Sequence, residues 1–264
     1  GGAIVNAGPN TLGVGGGTIQ VEEAITLGEI GSSVEGPTPL TKSGSGVLTL
    51  TGGLGVQNTA PVELQITAGS IVATGASSQL NVAGPNVFDG NLVLDGAKVS
   101  FHGALVSGTG VIEALNSPAA IVSRFNAGTV EVDNNIVMTS DLRVEASTGN
   151  SQFFVDGVIS GSANLIKGGN GIVTLRGSNL YTGNTVVESG TLAAETASFA
   201  DAATLTITPG AVLDLRHGLA DTVGFLVING EPVSPGSYGG SASGAAIKDD
   251  VHFNAESTGY LVVT

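Results

Sequence analysis

Asp214 and Arg216 stand two residues apart, and Asp249-Asp250 lie just ahead of His252. Residues two apart on a strand share a face, so each group could set a carboxylate beside a cation or an imidazole. Polysaccharide lyases and glycosidases use such carboxylate clusters for proton transfer at a sugar. Twenty-two acidic residues make these spacings common, and they read here as a surface ion pair and an acidic turn. His102, His217 and His252 are far apart and fall in no H-x-x-x-H or H-x-H spacing. They read as isolated surface histidines, not as a zinc site. No G-x-S-x-G elbow comes with a histidine and an acid to serve it, which excludes the usual serine-hydrolase arrangement.

The glycine-rich stretches are poor ligand loops. Gly13-Val14-Gly15-Gly16-Gly17 lacks the sixth-position glycine of a dinucleotide fingerprint, and no Gly-Lys-Ser/Thr follows it. Gly168-Gly169-Asn170-Gly171-Ile172 begins like the calcium-binding G-G-x-G-x-D repeat but carries Val173 where the liganding Asp belongs. No resident cofactor is expected; high negative charge and hard oxygen ligands leave room only for adventitious calcium at Asp249-Asp250. Sugar stacking is poorly supplied, with no Trp and three tyrosines, Tyr181, Tyr238 and Tyr260, each expected to pack.

The elements that would carry these residues are short strands. In Leu165–Ala194 the β-branched runs Ile172-Val173-Thr174-Leu175 and Thr185-Val186-Val187 are separated by Gly and Asn clusters, and no apolar spacing fits a helix. Leu142-Arg143-Val144-Glu145 alternates cleanly, with Leu142 and Val144 facing one way and Arg143 and Glu145 the other. Leu40–Gly52 lies over Leu165–Gly177 with Leu, Lys, both glycines, Thr, Leu and the closing Gly matched. Lys42 and Lys167 fall at the same repeat position, and each reads as a turn-facing, solvated lysine. Forty-two glycines and 4% aromatics suit a stack of thin layers with recurrent turns better than a compact core. Strands wound in coils would pair with the coil above and below, leaving only the two ends unpaired.

The charge of −14 repels nucleic acid and anionic membrane surfaces. The absence of cysteine suits export through the periplasm. No run approaches the roughly 18 apolar residues of a membrane helix, so direct membrane insertion is not expected. The first residues lack both an initiator Met and a basic export signal, as a mature or excised segment would. The rhythm changes at Glu231–Gly240, where prolines and aromatics gather.

The segment Leu165–Ala194 resembles the autotransporter-associated β-strand repeat of secreted bacterial proteins. It carries Lys167, Gly169, Gly171, Thr174, Leu175, Gly177, Asn179, Tyr181, Gly183, Thr185, Val187, Gly190 and Leu192 at the repeat's positions. The copy at Leu40–Gly52 keeps Lys42, Gly44, Gly46 and Leu50 but has Gly53-Leu54-Gly55 in place of the N-x-Y-x-G step. The tail from Ile228 to Val263 also resembles the closing segment of large secreted repeat proteins. The resemblance implies a right-handed parallel β-helix outside a Gram-negative-type bacterium or on its surface: a passenger, adhesin or matrix component, with a repeat linked to export and not to catalysis. The outer-membrane barrel expected after such a passenger is absent from these residues.

The expectation is therefore an all-β, right-handed parallel β-helix (β-solenoid) of roughly ten to twelve coils at the ~4.8 Å inter-strand spacing. The solenoid would span residues 1–223, with repeats at about 29–74 and 154–194, and residues 224–264 would form a C-terminal cap. The expected role is structural and adhesive, not enzymatic. Partners would be a host or matrix surface, or a second copy joined end to end through Ala3-Ile4-Val5 and Tyr260-Leu261-Val262-Val263. The rival is a polysaccharide-degrading enzyme on the same scaffold.

Overall fold

A computed structural model describes residues 11–13, 17–31, 40–54, 63–124 and 129–264. Ala3-Ile4-Val5, most of Gly13–Gly17 and the stretch after Leu54 lie outside these residues. The described chain is all β, and its strands stack in parallel ladders as a β-solenoid. One turn shows the plan. Thr129–Val132, Asn135–Met138 and Leu142–Ala146 follow one another around three faces, after which Gln152–Val155 returns in parallel register with Thr129–Val132. That turn takes the chain from Thr129 to its partner Gln152; a tighter one takes it from Ile172 to Thr191.

We call the faces first, second and third, after Asn135–Met138, Leu142–Ala146 and Thr129–Val132 respectively. Early in the chain a single strand can bend around a corner. Lys98–Ser107 runs from the second face to the third, with its register shift between His102 and Ala104. About eight turns are complete on all three faces among the described residues, fewer than the ten to twelve expected. The first-face ladder stops at Leu180–Tyr181, while the third continues to Val212–Leu215 and the second to Phe225–Ile228.

Alternation decides what is inside. Leu142, Val144 and Ala146 are buried while Arg143 and Glu145 are only partly covered, so each strand contributes one apolar stripe to a shared interior. Down the second face the inward column runs Leu80, Val99, Ile121, Val144, Lys167, Val187, Ile207. Side chains of one layer rest on those of the next, and the core is a continuous aliphatic column along the axis.

The two sequence repeats do not sit above one another. Leu40–Ser43 is on the third face and Val47–Leu54 starts on the first, whereas Leu165–Gly168 is on the second face and Ile172–Leu175 on the third. The same thirteen residues thus turn two different corners. The motif is a local corner device, indifferent to which face it leaves.

The last coil does not end at a single boundary. Ala220–Val223 already pairs with Tyr260–Val263 in a separate four-stranded sheet, yet Phe225–Ile228 still stacks on Thr204–Ile207. Tyr260–Val263 lies between Ala220–Val223 and Gly236–Gly239, so the free edge expected there is occupied. The other two faces are covered as well. Glu231–Pro232 folds back antiparallel on Val227-Ile228 through an Asn229-Gly230 turn with φ of 54° and 85°, the positive pair that a tight type I′ hairpin needs. On the third face Leu213 N–H donates to the His252 carbonyl, and Asn254 N–H donates to the Leu213 carbonyl.

Candidate functional site

Both repeat lysines correct the solvated reading. Lys42 and Lys167 are almost fully buried, at 1% and 0% exposure. Leu40 and Lys42 share a parity, as do Leu165 and Lys167, so alternation carries each lysine inward with its leucine. Lys42 takes its place in register between Ile19 and Ile66. Its Nζ donates to the carbonyls of Gly44 (2.6 Å), Gly46 (2.6 Å) and Ala68 (2.8 Å). Lys167 Nζ does the same to Gly168 (2.9 Å), Gly169 (2.8 Å) and Ser189 (2.7 Å). An ammonium has three donors, and each nest supplies three acceptors drawn from two successive coils. Burial pulls the Lys167 amine down to about 8, opposed by Glu145 and aided by Arg143. Burial also lowers Lys42, against the nearby Glu22 carboxylate.

The motif glycines make the nest. Gly169 has φ of +73°, and a Cβ on Gly171 would run into the Thr148 and Ser151 carbonyl oxygens of the preceding coil. Gly44, Gly46, Gly183 and Gly190 likewise lie against the backbone of an adjacent coil. Leu50 and Leu175 fill the core beyond the corner. Asn179 bridges three levels: its Oδ1 accepts Ile159 N–H (2.9 Å) from the coil before, and its Nδ2 donates to Ser198 Oγ (3.3 Å) in the segment after. Tyr181 is buried with its hydroxyl 2.7 Å from Thr185 Oγ1, so the packing role holds. Burial raises its phenol well above the usual range.

Three elements of this corner chemistry escaped the sequence reading. Asn134 is buried and its amide nitrogen lies within hydrogen-bond reach of the carbonyls of Phe88 (3.0 Å), Gly108 (3.3 Å) and Gly110 (2.9 Å), so its two N–H groups serve a three-carbonyl nest of the kind the lysines fill with an ammonium. Its signal was weak, since it stands alone in a polar turn. Asp141, Asn164 and Asn184 form a side-chain ladder in which each Oδ1 accepts the backbone N–H of the next coil, at 3.0, 2.9 and 2.9 Å. Their regular spacing was the available signal. Asp221, buried and raised by that burial, accepts Ser198 and Phe199 N–H and so binds the segment that follows the first-face ladder.

The acid clusters suspected of chemistry are engaged in hydrogen bonds within the fold. Asp214 is not a surface residue: at 3% exposure, its Oδ1 accepts Ser257 Oγ–H (2.5 Å) and its Oδ2 pairs with Arg216 Nε (2.7 Å). Asp249 accepts Val251 N–H, His252 N–H and the His252 ring, the last at 2.7 Å. Burial works to raise its carboxyl, but these hydrogen bonds outweigh it and the net shift is downward. Asp250 turns to the Ser241 N–H (2.7 Å) and hydroxyl (2.5 Å) instead. The two carboxylates therefore do not converge on one point. His252 is also buried, between Asp249 and the Asn229 amide, correcting its surface assignment. His102 and His217 are half-buried, and burial lowers both. Among the described residues no group of three or more His, Cys, Asp or Glu could hold a metal ion, and no helix is long and apolar enough to cross a membrane.

A column of charges runs along one corner outside the core. Asp133, Asp156, Arg176, Glu195 and Arg216 each follow the last residue of a third-face strand. Arg176 contacts Asp156 (3.4 Å) and Glu195 (3.5 Å), Arg216 reaches Glu195 (3.9 Å), and the Arg176 guanidinium lies 3.6 Å from the Phe154 ring centroid.

No curated protein and no solved structure matches the chain. One family model does, described as the passenger-associated-transport-repeat, over residues 40–58 and 165–194. These two segments contain Lys42 and Lys167, and the chain thus carries, twice, a stretch similar to that repeat, built into a parallel β-solenoid.

Proposed function

We propose that the protein is a stiff, non-enzymatic passenger rod, held outside a Gram-negative-type cell or on its surface, whose work is structural and adhesive. One observation carries the reading. Four of the buried polar side chains that could do chemistry, Lys42, Lys167, Asp214 and Asp221, each bond to a backbone or hydroxyl group that fastens a coil to another coil or to the tail. Their partners in these bonds are groups of the chain itself. The net charge of −14 favours a soluble rod with no affinity for nucleic acid or anionic lipid. Partners are a host or matrix surface, or a second copy. At the C-terminal end a second copy would meet the exposed side chains of Leu219, Phe225 and Val251 rather than bare strand edges.

The test has two arms. Antibody or protease added to intact cells that express the full polypeptide is expected to reach the chain, and beads coated with it are expected to bind matrix or one another. Exclusively intracellular protein, or beads inert to both, overturns the reading. The rival enzyme is tested on acidic and neutral glycans with the unaltered protein and with Asp214→Asn and Asp250→Asn. Turnover that either substitution abolishes would establish the rival.

A further inference from the structure

We propose that Asn229-Gly230 is a site of spontaneous amide-to-acid modification in the folded protein, and that the chain's other Asn-Gly pair, Asn170-Gly171, is protected by the fold. The chemistry is common to both. The backbone nitrogen of the glycine gives up its proton to solvent base and attacks Cγ of the preceding asparagine. A carbon–nitrogen bond forms, the Cγ–Nδ2 bond breaks, and the side-chain nitrogen takes up a proton and leaves as ammonia. Water then opens the five-membered imide at either carbonyl to give aspartate or its iso form, so the net change is addition of water and loss of ammonia. Glycine permits it because no side chain hinders ring closure. The reaction is intramolecular, so its rate depends on whether the nitrogen and Cγ are free to meet.

The fold treats the two sites differently. Both asparagines are exposed. At Asn170 the nucleophile is locked, because Gly171 N–H donates to the Ala146 carbonyl (2.9 Å) and its own carbonyl accepts Thr191 N–H (3.1 Å). Gly171 is buried between coils with the Thr148 and Ser151 carbonyls against its Cα. Cyclisation there must wait for the corner to open. Among the described residues the Gly230 N–H has no hydrogen-bond acceptor, and none comes within 4 Å of the space beside its Cα. Among the described residues the Asn229 side chain is tied to His252 alone, whose Nε2 lies 3.0 Å from Nδ2.

Peptide mapping by mass spectrometry, following both sites over weeks at mildly alkaline pH, tests this in the native protein and in the chain unfolded in urea. The unfolded chain is expected to convert both sites at similar rates. Folding is expected to slow Asn170 by more than about tenfold, the cost of opening a stacked corner, and to slow Asn229 by much less. Native protein in which Asn170 converts as fast as Asn229, or in which Asn229 is held back as strongly as Asn170, overturns the proposal.

Discussion

Each lysine nest joins a charge to a hydrophobic column, and the balance at that residue is measurable. Removing the amine leaves the carbonyls of Gly168 and Ser189 without its hydrogen bonds, at about 1–3 kcal/mol for each buried group left unsatisfied. The substituent's apolar burial offsets part of that. Lys167→Met is therefore expected to lower stability by about 2 kcal/mol at neutral pH, read as a shift in the denaturant midpoint. The pH dependence has a definite sign. The folded-state value of about 8 lies below the ordinary 10.5, so between them the unfolded chain holds more protons than the folded one. Stability should be flat below that window and rise through it with pH, by up to about 3 kcal/mol. The variant lacks this rise, so its deficit should widen from pH 7 to pH 10. Equal stability of the two proteins at both values would show that the nest contributes nothing.

At the scale of the turn, what matters is how closely one coil approaches the next. Gly149 and Gly171 occupy successive turns of the same corner, yet a Cβ at Gly149 meets nothing within 4 Å and one at Gly171 meets backbone oxygens. Gly149→Ala should change stability by no more than about 0.5 kcal/mol, whereas Gly171→Ala should cost about 3 kcal/mol or more, because backbone in two coils must shift. Thermal melts of the two variants check this, and similar melts would mean that the corner is looser than its geometry. The charge column is a milder element. Arg176 is about one-third exposed at its side chain, so its ion pairs are screened; Arg176→Ala should cost about 1 kcal/mol, shared with the lost Phe154 stacking. Most of that loss should persist in high salt if the ring contact dominates, and a double-mutant cycle with Phe154→Ala would apportion it.

Over the whole molecule, a solenoid has two ends, and the described one is closed. Val212–Leu215, Ala220–Val223 and Phe225–Ile228 are covered by residues 252–254, 260–263 and 231–232. Ending the chain after Gly230 would uncover all three ladders at once, and such edges recruit other chains. The shortened protein is expected to elute as larger species than the full chain at the same concentration by size-exclusion chromatography; an unchanged elution would show that side chains alone protect that end. The exposed Leu219, Phe225 and Val251 remain with the tail in place, which is why any contact at this end is assigned to side chains.

Much of this molecule was legible in its residues because strand alternation and glycine turns are local. The parity of Leu142 and Val144, the Gly-punctuated corners and the paired motif at Leu40 and Leu165 need no distant contact to be recognised, and they determine an all-β stack with an aliphatic interior. The same parity already placed Lys42 and Lys167 inward, but a lysine reads as solvated unless acceptors are known, and those acceptors come partly from Ala68 and Ser189 in another coil. Tertiary structure alone decided which corner each repeat turns, that Asp214 is covered by the tail and His252 buried within it, and that Tyr260–Val263 is an inner strand. These depend on register between segments some 20 to 45 residues apart, such as Lys167 with Ser189 and Asp214 with Ser257, and the identity of a neighbour across a coil is set by how many residues each turn happens to use.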